Sequence, residues 1–277
     1  MMGLKITTLS DNSTGLGNFL AEWGLSILVE TAETKILFDT GQSISASHNA
    51  DLLGIDLSKI NRIVLSHGHY DHTGGLRNIL RRIRREIEII AHPDIWQAKY
   101  ATREDEESYI GIPFHRQTLE SLGARFKESK KAVRITDNII TTGEIPMVTD
   151  YEEIEPYLVV KEGNSLKPDK LLDEQALIIK TRRGLVVVLG CAHRGIINTL
   201  YHARKLTGAK TIYAVVGGCH LMDASEERIY LTIAALKELG VQRLGVSHCT
   251  GAVASAIMAQ EFGDRFFFNV AGTKIDL

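Results

Sequence analysis

The densest chemistry in this 277-residue chain is the run Ser66-His67-Gly68-His69-Tyr70-Asp71-His72. Four groups able to bind a cation, His67, His69, Asp71 and His72, follow one another within it. Where a strand gives way to a helix, alternate residues can face one way, so His67 and His69 can hold one ion. Asp71 and His72, at the entrance of the next helix, can then face a second. Imidazole and carboxylate suit zinc best, with iron and manganese as alternatives, and other loops must complete each shell. Gly74-Gly75 directly afterwards reads as a sharp backbone turn beside the ions.

Three further histidines each close an apolar strand just before a helix. They are His193 in Gly190-Cys191-Ala192-His193, His220 in Val216-Gly217-Gly218-Cys219-His220-Leu221, and His248 in Ser247-His248-Cys249-Thr250-Gly251. Asp39, in Phe38-Asp39-Thr40-Gly41, also ends a strand, where an aspartate can serve as an ordinary turn residue. Three cysteines cannot all pair within one chain. Cys191, Cys219 and Cys249 flank the motif histidines and read as small residues packed beneath the site. His92 before Pro93 is a pocket residue or a cap, and His115-Arg116 is a candidate contact for an anionic substrate. His48 and His202 read as solvent-exposed.

The elements that must position these groups are short apolar strands. They are expected at Lys5–Leu9, Ser26–Glu30, Lys35–Phe38, Arg62–Leu65, Ile87–Ala91, Ala176–Lys180, Leu185–Leu189, Thr211–Val216, Arg243–Val246 and Arg265–Val270. Helical spacing appears at Gly74–Arg85, Gly195–Leu206, Glu226–Leu239 and Ala252–Phe262. Strands open each half and helices follow, which favours two sheets with helices outside over one doubly wound sheet. An internal repeat supports two halves: residues 26–41 align with 176–191, and the strand ending at His67 aligns with the strand ending at His248. Residues 95–172 differ in character and hold four of the five prolines, reading as an insert.

Composition sets the limits. Thirty-two basic and 34 acidic residues nearly cancel, so net charge argues for neither nucleic acid nor an anionic membrane. The run Arg77, Arg81, Arg82, Arg84 and Arg85 alternates with Leu76, Ile79, Leu80 and Ile83, so it reads as the solvated face of a helix. An acidic stretch over Arg103–Ser108 offsets it. No stretch is apolar enough to span a bilayer, and the start lacks a leader pattern, so a cytoplasmic protein is expected. No phosphate-binding Gly-rich loop, serine elbow or dinucleotide fingerprint is present.

Taken in order, the motifs resemble those of the metallo-β-lactamase superfamily, whose signature is His-x-His-x-Asp-His. Gly-Cys-x-His, Gly-Gly-x-His-Leu and His-Cys-Thr-Gly are similar to a narrower group within it. That group is named after an archaeal synthase that joins a dihydropterin to ribofuranosylaminobenzene phosphate. The resemblance implies an α+β fold, a four-layer αββα sandwich formed by residues 1–277 as one domain. The insert at about 95–172 is then a candidate cover for the cleft. It also implies that His193 joins His67 and His69, that His248 joins Asp71 and His72, and that Asp39 orients a ligand histidine. One departure stands out: His220 occupies the place where many hydrolases of the superfamily have an aspartate bridging both ions. His220 then binds one ion or acts on substrate, or Asp223 reaches in.

The resulting expectation is a hydrolase with one or two divalent ions, using metal-bound water on an ester or phosphoester, with Asp71 and His220 as catalytic groups. The alternatives are a transferase of the synthase type, an iron-dependent oxygenase and a non-catalytic metal-binding protein. The expected partner is a small molecule, phosphorylated or not, with no nucleic acid and no membrane. A homodimer is a guess from size and the insert.

Overall fold

The structure, a computed structural model, describes residues 3–103 and 106–277. Glu104 and Asp105 of the acidic stretch therefore lie outside the described residues. The chain divides into two compact units. The first comprises residues up to 129 together with 156–169 and 270–277, and the second comprises 130–155 and 170–269.

The first unit is built on a seven-stranded sheet in the order Lys274–Asp276, Lys5–Ser10, Ser26–Glu30, Lys35–Phe38, Arg62–Val64, Ile87–Ala91, Ala124–Glu128. Its first members form antiparallel pairs, whereas the last four strands run parallel. Parallel strands deliver their carboxyl ends to one edge, where α/β sheets habitually carry ligands. Asp39, Ser66-His67 and His92 all leave strands at that edge. Leu76, Ile79, Leu80 and Ile83 of the helix Leu76–Ile83 are buried, while all five arginines of the run are exposed, as the spacing predicts. They join a core with Leu28, Leu37, Ile63, Leu65, Ile89 and Ala91.

The second unit repeats the logic with a six-stranded sheet: Phe266–Phe268, Arg243–Ser247, Ile212–Gly218, Gly184–Leu189, Leu177–Thr181, Ile139–Thr141. Here too the four strands from Gly184–Leu189 to Phe266–Phe268 are parallel. Cys191–His193, His220 and His248 follow successive members, so the parallel register brings them to one edge. Helices Ile196–Thr207, Glu226–Glu238 and Ala252–Phe262 supply Ile197, Leu200, Ile233, Leu236 and Met258 to the core.

Three sequence expectations change. The repeat holds for the hairpins Ser26–Phe38 and Leu177–Leu189, but beside its hairpin the second unit places Ile212–Gly218. By sheet position the counterpart of the His67 strand thus leads to His220, and the alignment with His248 is one strand out. Residues 95–172 are not one body. They supply a four-stranded antiparallel sheet, in the order Ser165–Pro168, Leu158–Glu162, Lys99–Arg103, Glu106–Tyr109, and one edge strand to each large sheet. His202 is half-buried rather than exposed, its Nε2 3.2 Å from the Thr142 carbonyl. Among the described residues no helix is long and apolar enough to cross a membrane.

Candidate metal centre

In the first unit the loop after Arg62–Val64 is fastened by Asp39, which is fully buried. One carboxylate oxygen accepts from the Ser66 N–H at 2.7 Å; the other takes the Ser66 hydroxyl at 2.6 Å and His72 Nδ1 at 2.7 Å. A carboxylate only accepts, so His72 carries its proton on Nδ1 and its Nε2 is left as a lone pair. That Nε2 lies 3.7 Å from the Asp71 carboxylate. The Ser66 hydroxyl, having given its proton to Asp39, accepts from His67 Nδ1 at 2.8 Å. His67 Nε2 is therefore also a lone pair, and it faces His69 Nδ1 at 3.0 Å. Two nitrogens of a tetrahedral ion with bonds near 2.05 Å stand roughly 3.3 Å apart, so this donor pair fits a small divalent cation. Asp39 thus sets the tautomer of two imidazoles, one directly and one through a serine.

Gly74 and Gly75 serve a purpose other than the turn expected of them. Their φ values, −66° and −73°, are ordinary helical ones. A Cβ at Gly74 would stand 2.0 Å from the Gln42 carbonyl oxygen, and one at Gly75 1.9 Å from that of Thr40. Glycine is required because the Thr40–Gln42 loop, which follows Asp39, passes against the helix start.

In the second unit, ligand atoms of Cys191, His193 and His220 lie within 4.8 Å of one another, as do those of Cys191, His248 and Cys249. All three cysteines are buried and none is in a disulfide; the Cys249 thiol donates to the Cys191 carbonyl at 3.5 Å. Here the anchoring carboxylate grips backbone. Glu174 accepts from the N–H groups of His193 and Arg194, each at 2.6 Å. Burial pushes the Glu174 carboxyl up to about 7 despite these bonds. Glu152 accepts from Ile197 and Asn198 N–H at 2.8 Å each, closing the start of the following helix. Burial and the adjacent His220 pull the His193 imidazole down to about 4.

A third carboxylate was not legible in the sequence. Glu155 places Oε2 3.1 Å from His220 Nε2 and 3.9 Å from His193 Nδ1, with Arg228 at 3.6 Å from its other oxygen. Burial would raise its pKa, but the two histidines beside it outweigh that and hold it well below the usual carboxylate range. Asp223, considered for this place, is exposed instead. Glu155 sits in the acidic run Asp150-Tyr151-Glu152-Glu153-Ile154-Glu155, where nothing local marks it out.

Backbone strain gathers at the same positions. Of six non-glycine residues with positive φ among the described residues, four are Asp39, Ala192, His220 and His248, at 59°, 57°, 46° and 52°. Each such conformation costs on the order of 1 kcal/mol and persists where surrounding contacts over-determine it. The remaining candidates behave differently. His92 is buried, and its Nδ1 accepts from the Asp94 N–H at 3.0 Å, capping the turn that starts at Pro93. His115 is exposed at the start of the helix Arg116–Ser121. The Arg116 guanidinium is held by Glu120 at 2.8 Å and Glu128 at 2.7 Å, so its charge is already balanced by carboxylates.

Comparison with known proteins agrees with this geometry. Residues 24–196 match the family model of the metallo-beta-lactamase superfamily. The chain is 39% identical to 7,8-dihydropterin-6-methyl-4-(beta-D-ribofuranosyl)-aminobenzene-5'-phosphate synthase of Methanocaldococcus jannaschii, over 95% of this chain and 93% of that protein. It is 33% identical to an uncharacterized protein of the same organism, over 92% and 94% of the two chains. A crystal structure of a metal-dependent hydrolase of the beta-lactamase superfamily superposes with a TM-score of 0.86 at 30% identity, covering 99% of both chains. With the histidine loop, the strand-end Asp39 and this match across most of its length, the chain belongs to the metallo-β-lactamase superfamily and has its α+β fold.

Proposed function

We propose that the protein is a metal-dependent transferase of the synthase type, joining the 6-methylene carbon of a dihydropterin to an arylamine that carries a ribofuranosyl phosphate. The observation that carries this reading is the extent of the likeness: 39% identity running over 95% of this chain and 93% of the named synthase, not the histidine motif alone. The expectation of a simple hydrolase gives way to it on that ground.

The ligand sets follow the superfamily resemblance: His67, His69 and His193 for one divalent ion, Asp71, His72 and His248 for another, with zinc the best match to the donors. A bound ion would supply Lewis acidity toward the leaving diphosphate of a dihydropterin donor. The reaction breaks the bond from the methylene carbon to the diphosphate oxygen and forms one to the arylamine nitrogen. The proton released from that nitrogen needs an acceptor, for which Asp71 and His220 are the candidates. Asp39 keeps His67 and His72 in the tautomers that ligation demands.

The test is to incubate metal-loaded protein with hydroxymethyl-dihydropterin diphosphate and ribofuranosylaminobenzene 5'-phosphate. Equimolar diphosphate and coupled product are expected. Diphosphate release that is indifferent to the arylamine would overturn the transferase in favour of the second reading. That reading, a hydrolase acting on a phosphoester, is supported by the 30% identity and 0.86 TM-score to the metal-dependent hydrolase.

A further inference from the structure

We propose that the pocket of the first unit walled by Trp96, Tyr109 and Phe114 seats a flat, uncharged heteroaromatic ring, the pterin of the donor. The proposal rests on the transferase reading above and adds to it the place of the donor's ring. The pocket has a volume of about 580 Å³, a size typical of small-molecule sites. Ile95 and Ile112 are its buried apolar members.

Two of the three rings are held before any ligand arrives. The Trp96 indole N–H donates to Glu128 at 2.9 Å, and the ring meets Phe126 edge-on at 4.9 Å between centroids. The Tyr109 hydroxyl donates to the Ile112 carbonyl at 3.0 Å, and its ring meets Tyr100 edge-on at 5.3 Å. Tyr109 nevertheless stays 48% exposed. An aromatic side chain fixed in place yet exposed offers stacking area at little cost in ordering.

Charge and position narrow the occupant. Arg116, which also lines the pocket, is already matched by Glu120 and Glu128, so the pocket suits an uncharged ring better than a phosphate. A Cβ at Gly68, between His67 and His69, would stand 2.5 Å from the Ile95 carbonyl oxygen. The Tyr70 N–H donates to the Ile110 carbonyl at 2.9 Å. Both stretches that wall the pocket are thus fastened to the histidine loop. In the donor a single carbon separates the pterin from the diphosphate, so a diphosphate held at that loop keeps its ring close by. In the acceptor the ring carries a ribosyl phosphate, whose charge the matched Arg116 does not attract.

The experiment titrates zinc-loaded protein with 6-hydroxymethylpterin, which has no diphosphate and reports on the ring alone. Binding is followed by calorimetry and by the indole N–H signals of Trp23 and Trp96 in 15N NMR, assigned with Trp23→Phe. Saturable binding with a shift confined to Trp96 is expected. Tyr109→Ala and Phe114→Ala should each weaken it about tenfold, whereas Tyr109→Phe, which keeps the ring, should change it less than about threefold. A Trp96 signal that does not move, or alanine variants that bind as tightly as wild type, overturns the proposal. So does a Trp96 shift caused by ribofuranosylaminobenzene 5'-phosphate and not by the pterin, which assigns the pocket to the acceptor. Should neither alanine variant fold, the wild-type Trp96 signal decides. Pterin bound at Trp96 without coupled product overturns the transferase and leaves the ring pocket standing; coupled product without a Trp96 shift does the reverse.

Discussion

The two units solve one problem in different ways. Each has four parallel strands whose carboxyl ends lead to histidines, and each must hold those residues in place. The first unit does it with one buried side chain: Asp39 binds His72 directly and His67 through Ser66. The second spreads the task. Glu174 holds the backbone at His193 and Arg194, Glu152 closes the next helix, and Glu155 faces the rings of His220 and His193. A compact loop needs one anchor because its ligands are neighbours in sequence. Where the histidines come from separate strands, several carboxylates share the work.

That contrast can be broken by mutation. The largest effect is expected from His67→Ala and Asp71→Ala, which remove donors from the compact loop and should abolish turnover with the fold retained. Circular dichroism and the diphosphate-release assay check it together. A fully active variant would remove the loop from the chemistry.

Next comes Asp39→Asn. The amide can still accept from Ser66 N–H, but its NH2 donates toward His72 Nδ1 and drives the ring proton to Nε2, where a ligand lone pair is needed. Zinc affinity should fall about 10–100-fold. Stability should drop by on the order of 3 kcal/mol, because a buried charged acceptor with three donors is lost. Chelator competition and denaturant unfolding measure the two effects separately.

The smallest effect is expected at Glu174→Gln. The carboxyl already sits near 7 through burial, and glutamine keeps one acceptor for the two backbone donors. A loss of about 1–2 kcal/mol in unfolding free energy is expected, with zinc affinity changed less than tenfold. If Glu174→Gln instead matched Asp39→Asn in metal loss, backbone anchoring and ring anchoring would be equivalent, and the contrast between the units would fail.

Much of this was legible beforehand, for reasons particular residues make clear. Strands such as Ser26–Glu30, Lys35–Phe38 and Ile87–Ala91 appear at the boundaries their apolar runs predict. The sequence does not mark the strands Lys99–Arg103, Glu106–Tyr109 and Ser165–Pro168, which apart from the buried Lys99 are half-exposed or exposed and carry no apolar period. Gly74-Gly75 reads as a turn in the sequence, whereas the glycines answer to close approach by Gln42 and Thr40, a long-range contact.

By itself, the order of residues determined the histidine loop, the strand-end positions of Asp39, His193, His220 and His248, and the fold they imply. These follow from local geometry: a strand alternates every two residues, and donors within seven residues cannot be far apart. Which carboxylate meets which histidine, at its ring or at its backbone N–H, was decided only by the tertiary structure. Asp39 and His72 are 33 residues apart, Glu174 and His193 are 19, and Glu155 and His220 are 65. Those pairings are made by parallel strands and the loops that close over their ends, and among several acidic residues in one run no local property distinguishes the one that chain closure selects.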